Sequence, residues 1–178
     1  MEVETARLRL RRLDRGDAEA IGRLFAIPNV TQHLAVGEMG DAQEARKFAD
    51  AFIAKAREEF TKAGCGAMAV VDRRNALLGY CGLRPLPDVA DTVELLYALL
   101  PRYWGLGLAT EAAHATLAWG FARLSIAEIL GLAALENVAS RRVMEKLGMG
   151  YAGTTTSYYD AELALYRIRR DDEVQAAD

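Results

Sequence analysis

The sequence predicts one α/β domain, a twisted mixed sheet of about seven strands with four main helices. Three observations carry that prediction. Short β-leaning apolar runs alternate with longer stretches whose apolar residues recur at three- and four-residue spacing. One run, Val93 to Leu100, leads through a proline break and a glycine turn into an alanine-rich stretch without Gly or Pro between Leu108 and Trp119. No internal repeat, linker or low-complexity segment divides the 178 residues. A single domain over 1–170 follows, with the charged tail from Arg169 onward, and 171–178 above all, expected to fray.

Taken in order, Thr5 to Leu13 alternates apolar Leu8 and Leu10 with Arg7, Arg9, Arg11 and Arg12, and Leu13 falls one residue out of phase. This is a half-buried first strand with its arginines toward solvent or a partner. Asp14 offers an N-cap, with Asp17 three residues on, and Ala18, Ile21, Leu24 and Phe25 form an apolar stripe that ends before Pro28. Residues 29–40 carry little periodicity and two glycines, so a loop is expected there. Asp41 and Glu44 form a capping pair for a second helix, in which Ala45, Phe48, Phe52, Ile53, Ala56 and Phe60 mark the core face up to Gly64.

Gly66 to Asp72 and Leu77 to Leu83 form a hairpin around Arg73 to Ala76, and Pro85, Pro87 and Asp88 then interrupt the chain. After the strand Val93 to Leu100 and its helix, Ile126 to Leu135 is another apolar run. Asn137 caps a fourth helix of about three turns that closes on Gly148. Gly150 to Thr156 and Ala161 to Ile168 supply the last strands.

Composition narrows the function. A net charge of −3 provides no basic field for nucleic acid. Two cysteines, Cys65 and Cys81, make no disulfide framework and match no metal spacing, so free thiols in a reducing compartment are expected. Without a run of about 20 apolar residues or a signal-like N-terminus, neither membrane nor secretion is indicated, and the cytoplasm follows by default.

The turn Gly105-Leu106-Gly107 draws attention because it opens a helix. Backbone N–H groups there lack partners, glycine lets the main chain approach a ligand closely, and the helix dipole adds about half a positive charge. That is an anion site, or an ordinary strand-to-helix turn.

Three stretches then match a known family. They are Val93-Glu94-Leu95-Leu96-Tyr97-Ala98-Leu99, then Tyr103-Trp104-Gly105-Leu106-Gly107-Leu108-Ala109-Thr110-Glu111-Ala112, and Asn137-x-x-Ser140-x-x-Val143-x-x-Lys146-Leu147-Gly148-Met149. With Ala6-Arg7-Leu8-Arg9-Leu10-Arg11 and Leu78-Gly79-Tyr80-Cys81-Gly82-Leu83, the chain resembles the GNAT N-acetyltransferases over nearly its whole length, and more narrowly the RimJ/RimL type. The resemblance implies the GNAT fold, with splayed central strands binding acetyl-CoA. It implies acetyl transfer by direct attack in a ternary complex, to a protein N-terminal α-amine or a small-molecule amine, with no metal. A homodimer is left open.

By the same resemblance, Tyr97, Ala98 and Leu99 offer main-chain bonds to pantetheine and thioester, while Gly105, Leu106, Gly107, Leu108 and Ala109 cradle the pyrophosphate. The family's R/Q-x-x-G-x-G/A motif fits as Arg102-x-x-Gly105-x-Gly107 or as Trp104-x-x-Gly107-x-Ala109. The second register is preferred because Leu100-Pro101 matches the family's leucine-proline pair. Trp104 then replaces the usual Arg or Gln, and the backbone carries the binding. Asn137 is implied to reach the pantetheine; as a bare N-cap it would be unremarkable.

The family's tyrosine acid matches Met144, so that acid is missing. Ser140 is a candidate to hydrogen-bond the CoA sulfur or thiolate, or else a first-turn serine supporting the cap. Glu94, the charged residue in an apolar strand, matches the family's strand glutamate, a general base acting directly or through water; the alternative is an outward-facing surface residue. Glu111, in the first turn of its helix, is structural.

Rival readings fit less well. A Rossmann site lacks the third glycine, a P-loop lacks a Gly-Lys pair, and neither His33 nor His114 sits in a hydrolase motif. A non-catalytic CoA-binding or sensing module on the same fold remains the alternative to an enzyme.

Overall fold

The computed structural model describes residues 2–34, 39–86 and 92–171. Its strands are β1 (Glu2–Glu4), β2 (Leu8–Arg12), β3 (Ala67–Asp72), β4 (Leu77–Pro85), β5 (Thr92–Leu99), β6 (Glu128–Ala134), β7 (Gly150–Thr155) and β8 (Leu163–Arg169). They form one sheet in the order β1-β2-β3-β4-β5-β6-β8-β7. Every neighbouring pair is antiparallel except β5 with β6. The helices are α1 (Ala18–Phe25), α2 (Pro28–Thr31), α3 (Ala42–Ala63), α4 (Leu108–Arg123) and α5 (Val138–Lys146). Parallel neighbours need a long crossover, and α4 supplies it between β5 and β6.

This is the expected architecture with one more strand and one more helix. Glu2–Glu4 is too short and polar to announce a strand, and exists by pairing with β2. In the segment expected to be loop, Pro28 opens the four-residue α2, since its fixed φ suits a first helical position and its missing N–H costs nothing there. The expectations for residues 35–38, for Pro87 and Asp88 and for the tail over 172–178 lie outside the described residues.

Two apolar clusters sandwich the sheet. α4 packs one face with Leu8, Leu10, Val93, Leu95, Leu99, Ile129 and Met144. α1 and α3 pack the other with Leu13, Tyr80 and Leu100, and the half-buried Leu96 and Ala98 join them. The phase slip at Leu13 is thereby explained: β2 ends at Arg12, and Leu13 enters the opposite cluster from Leu8 and Leu10. Tertiary partners also absorb the arginines. Arg11 donates two bonds to the Asp17 carboxylate, at 2.8 and 2.7 Å.

The helix ends follow their local chemistry. Asp41 Oδ1 accepts from the Gln43 and Glu44 amides at 2.7 and 2.8 Å, and Glu44 reaches back to the Gly40 amide at 2.6 Å. At the end of α5, Gly148 takes φ 76° and the Met149 amide bonds back to the Met144 carbonyl at 3.1 Å. The expected fraying does not begin at Arg169, which ends β8. Arg170 is also tied down: its guanidinium donates to the carbonyls of Phe121, Leu124 and Ile126, the exit of α4, where a cation is favoured.

Candidate active site

β5 and β6 pair in register from Thr92 opposite Glu128 to Leu95 opposite Gly131, and there the ladder stops although both strands continue. The consequence shows as exposure. Leu96, Tyr97 and Ala98, in the middle of the sheet, are only half-buried. At the vertex of the fork the sheet is covered closely by α5. A Cβ on Gly131 would lie 2.3 Å from Met144 Sδ, so Met144 rests directly on the last paired residue of β6.

Strand alternation determines which groups face the fork. The Leu100 amide bonds to the Leu78 carbonyl at 2.8 Å, and Leu99 is registered opposite Gly79. Alternate residues Ala98, Leu96 and Glu94 therefore turn their main-chain groups to β4, while Leu99, Tyr97 and Leu95 turn theirs toward β6. Beyond Leu95 those groups have no strand to meet. Ala98 thus differs from expectation: its peptide groups belong to the β4 ladder. At Leu99 the carbonyl is already taken by the Trp104 indole N–H at 2.7 Å, which pins the following turn to the strand end. Tyr97 N–H, Tyr97 C=O and Leu99 N–H remain for a ligand.

The turn itself is shaped for close approach. Gly105 and Gly107 both have φ 74°, a left-handed conformation that strains a residue bearing a Cβ. An added Cβ would meet nothing within 4 Å at Gly105, and at Gly107 only Arg7 Nη2 at 3.7 Å. Gly107 is the residue before α4 and has no side chain to cap it, and the Glu111 amide makes the first helical bond, to the Gly107 carbonyl at 3.0 Å. The preceding amides of Leu108 and Ala109 are left for an anion. Leu106 stands exposed beside them.

Glu111 does more than complement the helix dipole. It accepts from the Thr5 hydroxyl at 2.6 Å, the Arg7 amide at 2.9 Å and Arg7 Nε at 2.6 Å. Burial acts to raise its carboxyl, but these bonds outweigh it and hold the pKa below the ordinary value. Arg7 Nη1 in turn donates to the Leu106 carbonyl at 2.9 Å. The N-terminal hairpin thereby clamps the glycine turn.

On the α4 and α5 face of β5, the Tyr97 side chain spans to α5. Its hydroxyl lies 2.8 Å from Ser140 Oγ and donates to the Ser140 carbonyl at 3.0 Å. The helix cap is made elsewhere, by Asn137 Oδ1 accepting from the Ser140 amide at 3.0 Å. Ser140 Oγ is therefore engaged with Tyr97 and does not cap the helix. Met144, where the family's tyrosine is missing, is buried in the core, so a phenol reaches this region from β5 instead.

The opposite face of β5 carries Glu94, 7% exposed and no surface residue. Tyr159, from the β7–β8 connection, donates its hydroxyl to Glu94 Oε2. Arg84 is registered opposite on β4, and its Nε stands 3.5 Å from Glu59 of α3. Burial raises the Glu94 pKa, and the Tyr159 bond and the Arg84 charge oppose it. Burial beside Glu94 pushes the Tyr159 phenol up to about 12, so it stays a donor.

Sequence reasoning missed three participants: Arg7 as the clamp of the turn, the Tyr97 side chain as opposed to its main chain, and Tyr159. Their contacts span 99, 43 and 65 residues. No local pattern encodes such pairs; an aromatic beside a turn aspartate, Tyr159-Asp160, was the one visible hint, both residues having positive φ. Cys65 and Cys81 are buried free thiols pushed up to about 11 and about 12 by desolvation, which makes them inert. Among the described residues no group of three or more His, Cys, Asp or Glu could hold a metal ion, and no helix is long and apolar enough to cross a membrane.

A parallel strand pair that opens midway, followed by an uncapped glycine turn at the start of the next helix, is the α/β arrangement that the resemblance to acetyltransferases implied. Residues 7–150 match the model of the acetyltransferase (GNAT) domain, and the chain belongs to that family. It is similar to the uncharacterized N-acetyltransferase YoaA of Bacillus subtilis (strain 168), 28% identical over 158 residues, with 88% of this chain and 86% of the relative covered. Among solved structures, RimL, a ribosomal L7/L12 alpha-N-protein acetyltransferase in complex with coenzyme A, superposes with TM-score 0.79 at 16% identity, covering 97% of this chain and 99% of the other. Spermidine N-acetyltransferase from Vibrio cholerae, in complex with CoA and spermine, gives 0.77 at 19%, covering 96% and 99%. The fold is the GNAT fold, and the chain is an acyltransferase.

Proposed function

We propose that this chain moves an acetyl group from acetyl-CoA to a primary amine, a protein N-terminal α-amine or a small-molecule amine, as an enzyme of the RimJ/RimL type. The observation that carries the reading is the fork. It leaves Tyr97 N–H, Tyr97 C=O and Leu99 N–H unpaired beside a glycine turn whose amides suit a diphosphate. The coenzyme-bound relatives, RimL with CoA and the spermidine enzyme with CoA and spermine, support that use.

Acetyl-CoA, when bound, supplies an activated thioester carbonyl. Leu99 N–H and the two Tyr97 main-chain groups bind the amide-bearing arm, and Asn137, whose Oδ1 is spent on the cap, offers Nδ2. Leu108 and Ala109 amides hold the phosphates, with Trp104 and Arg7 fixing the turn. Glu94 accepts the proton released by the amine. Its raised pKa makes it a stronger base than an exposed carboxylate, and Tyr159 keeps one oxygen oriented. Ser140 donates to the sulfur as it leaves.

Neutralising a lysine-type amine at pH 7 costs roughly 4–5 kcal/mol and an α-amine about 1. A single carboxylate base suits the α-amine better. Incubation with acetyl-CoA and a panel of α-amino peptides, polyamines and lysine derivatives should release free thiol in step with acetylated product. Tight CoA binding with no thiol release for any amine would instead establish a sensing module.

A further inference from the structure

The Tyr97 hydroxyl, paired with Ser140, has a hydrogen-bond inventory that no role assigned so far uses. Tyr97 has one hydroxyl proton and two acceptors within reach, the Ser140 carbonyl at 3.0 Å and Ser140 Oγ at 2.8 Å. In one arrangement the phenol donates to the carbonyl and the serine donates to the phenol, and neither proton is offered outward. In the other, the phenol donates to Ser140 Oγ, and the serine proton is free for another acceptor. Both arrangements keep every oxygen satisfied at the same heavy-atom positions, so the switch needs only two hydroxyl rotations.

We propose that Tyr97 is a positioning residue for acyl transfer, one that turns the Ser140 proton outward to the departing sulfur by donating its own proton to Ser140 Oγ. This rests on the reading of the fork as the acetyl-CoA site. During transfer the amine nitrogen bonds to the acetyl carbon, the carbon–sulfur bond breaks, the sulfur keeps the electron pair as thiolate, and the amine proton goes to Glu94. The hydroxyl pair transfers no proton. It supplies one hydrogen bond that exists only as negative charge gathers on sulfur, and a hydroxyl that is itself accepting a bond is the better donor.

The surroundings suit that role. Burial holds the Tyr97 phenol above its ordinary pKa, so its proton is retained. Directly opposite on β4, the Cys81 thiol is likewise held protonated and is engaged with Thr116 of α4. On α5, Arg141 is turned away to the Tyr166 hydroxyl and the Leu135 carbonyl, and Arg142 is exposed. No ionised group among these contacts the pair. The arrangement also accounts for the buried methionine at position 144, because the hydroxyl needed beside the sulfur comes from Ser140 backed by β5.

The test compares CoA with desulfo-CoA in wild type, Tyr97→Phe, Ser140→Ala and the double variant, by calorimetric titration across pH 6 to 10. In wild type the bound thiol should ionise at a lower pH than the thiol of free CoA. Both single variants and the double variant should return it by the same amount, with desulfo-CoA affinity unchanged throughout. Turnover should fall by about tenfold in each single variant, and by about tenfold, not a hundredfold, in the double. A normal thiol pKa in Tyr97→Phe alongside unchanged desulfo-CoA binding shows that the variant folds and confirms the coupling. The proposal is overturned if Tyr97→Phe leaves the thiol pKa at the wild-type value while Ser140→Ala shifts it, or if the two losses multiply. Failure of both CoA and desulfo-CoA to bind wild type would remove the acetyl-CoA reading itself.

Discussion

The two faces of β5 solve opposite problems within five residues. Tyr97 points to the α4 and α5 side, where it meets an uncharged hydroxyl, and neither partner pays to be ionised. Glu94 points to the α1 and α3 side and is buried as a carboxylic group among Tyr159, Arg84 and Glu59. In the proposed reaction this keeps charge where the amine proton is accepted and excludes it where the sulfur departs. Because side chains alternate along a strand, a single element separates the two environments while its own main chain is opened by the fork between them.

That separation makes distinct kinetic signatures. The largest effect belongs to the charged face. Glu94→Gln should lower kcat/KM by about 100-fold or more for a lysine-type acceptor and by less for an α-amine, because general-base contributions run to ~10²–10⁴ and grow with the proton's reluctance to leave. Its acid limb should vanish from the pH–rate profile. Equal losses for both acceptors would reduce Glu94 to a positioning role, and the contrast between the faces would fail.

Next in size is the main chain between them. Gly107→Val places a β-branched residue at φ 74°, at a strain of about 1–3 kcal/mol, and lines the cradle with side chain. CoA affinity should weaken by about 10- to 100-fold on isothermal titration, with acceptor preference unchanged. Unaltered affinity in a folded variant would make the turn structural only.

A smaller shift sharpens the charged face. Burial raises the Glu94 pKa and the Tyr159 bond lowers it, so removing the phenol removes a stabiliser of the ionised form. In Tyr159→Phe the acid limb of kcat/KM should therefore move to higher pH, since a base must be deprotonated to work. Movement to lower pH, or none, would mean that Tyr159 does not serve this carboxylate. The smallest effect should come from Arg7→Ala. Its ion pair to Glu111 is half-exposed and contributes on the order of 0.2–1 kcal/mol, so melting should fall by a few degrees at most and CoA affinity a few-fold, through loss of the Leu106 contact.

Local signals were sufficient where local physics decides. The Asp41 cap, the Phe stripe of α3, the glycine before α4, the Asn137 cap and the Gly148 stop depend on spacings of a few residues, and all were legible. β1 and α2 were not, because three or four residues carry no period and exist by what they pair with or pack on. Within the site, Glu94 stood out as a charge in an apolar run, but its burial and its phenol partner are properties of the folded sheet.

By itself, then, the sequence determined the order of the longer strands and helices, the glycine turn at 105–107 and the residue types available for acyl transfer. These follow from hydrophobic periodicity, capping and the φ freedom of glycine, all short-range effects. Only the tertiary structure decided that β5 and β6 part after Leu95 and Gly131, that Ala98 spends its peptide groups on β4, and that Arg7 grips a turn about a hundred residues away. It also decided that Ser140 answers to Tyr97 and not to its own helix. The physical reason is that register, burial and side-chain partnership are set by which distant segments share a surface. A chain of residues read in order carries no distances between them.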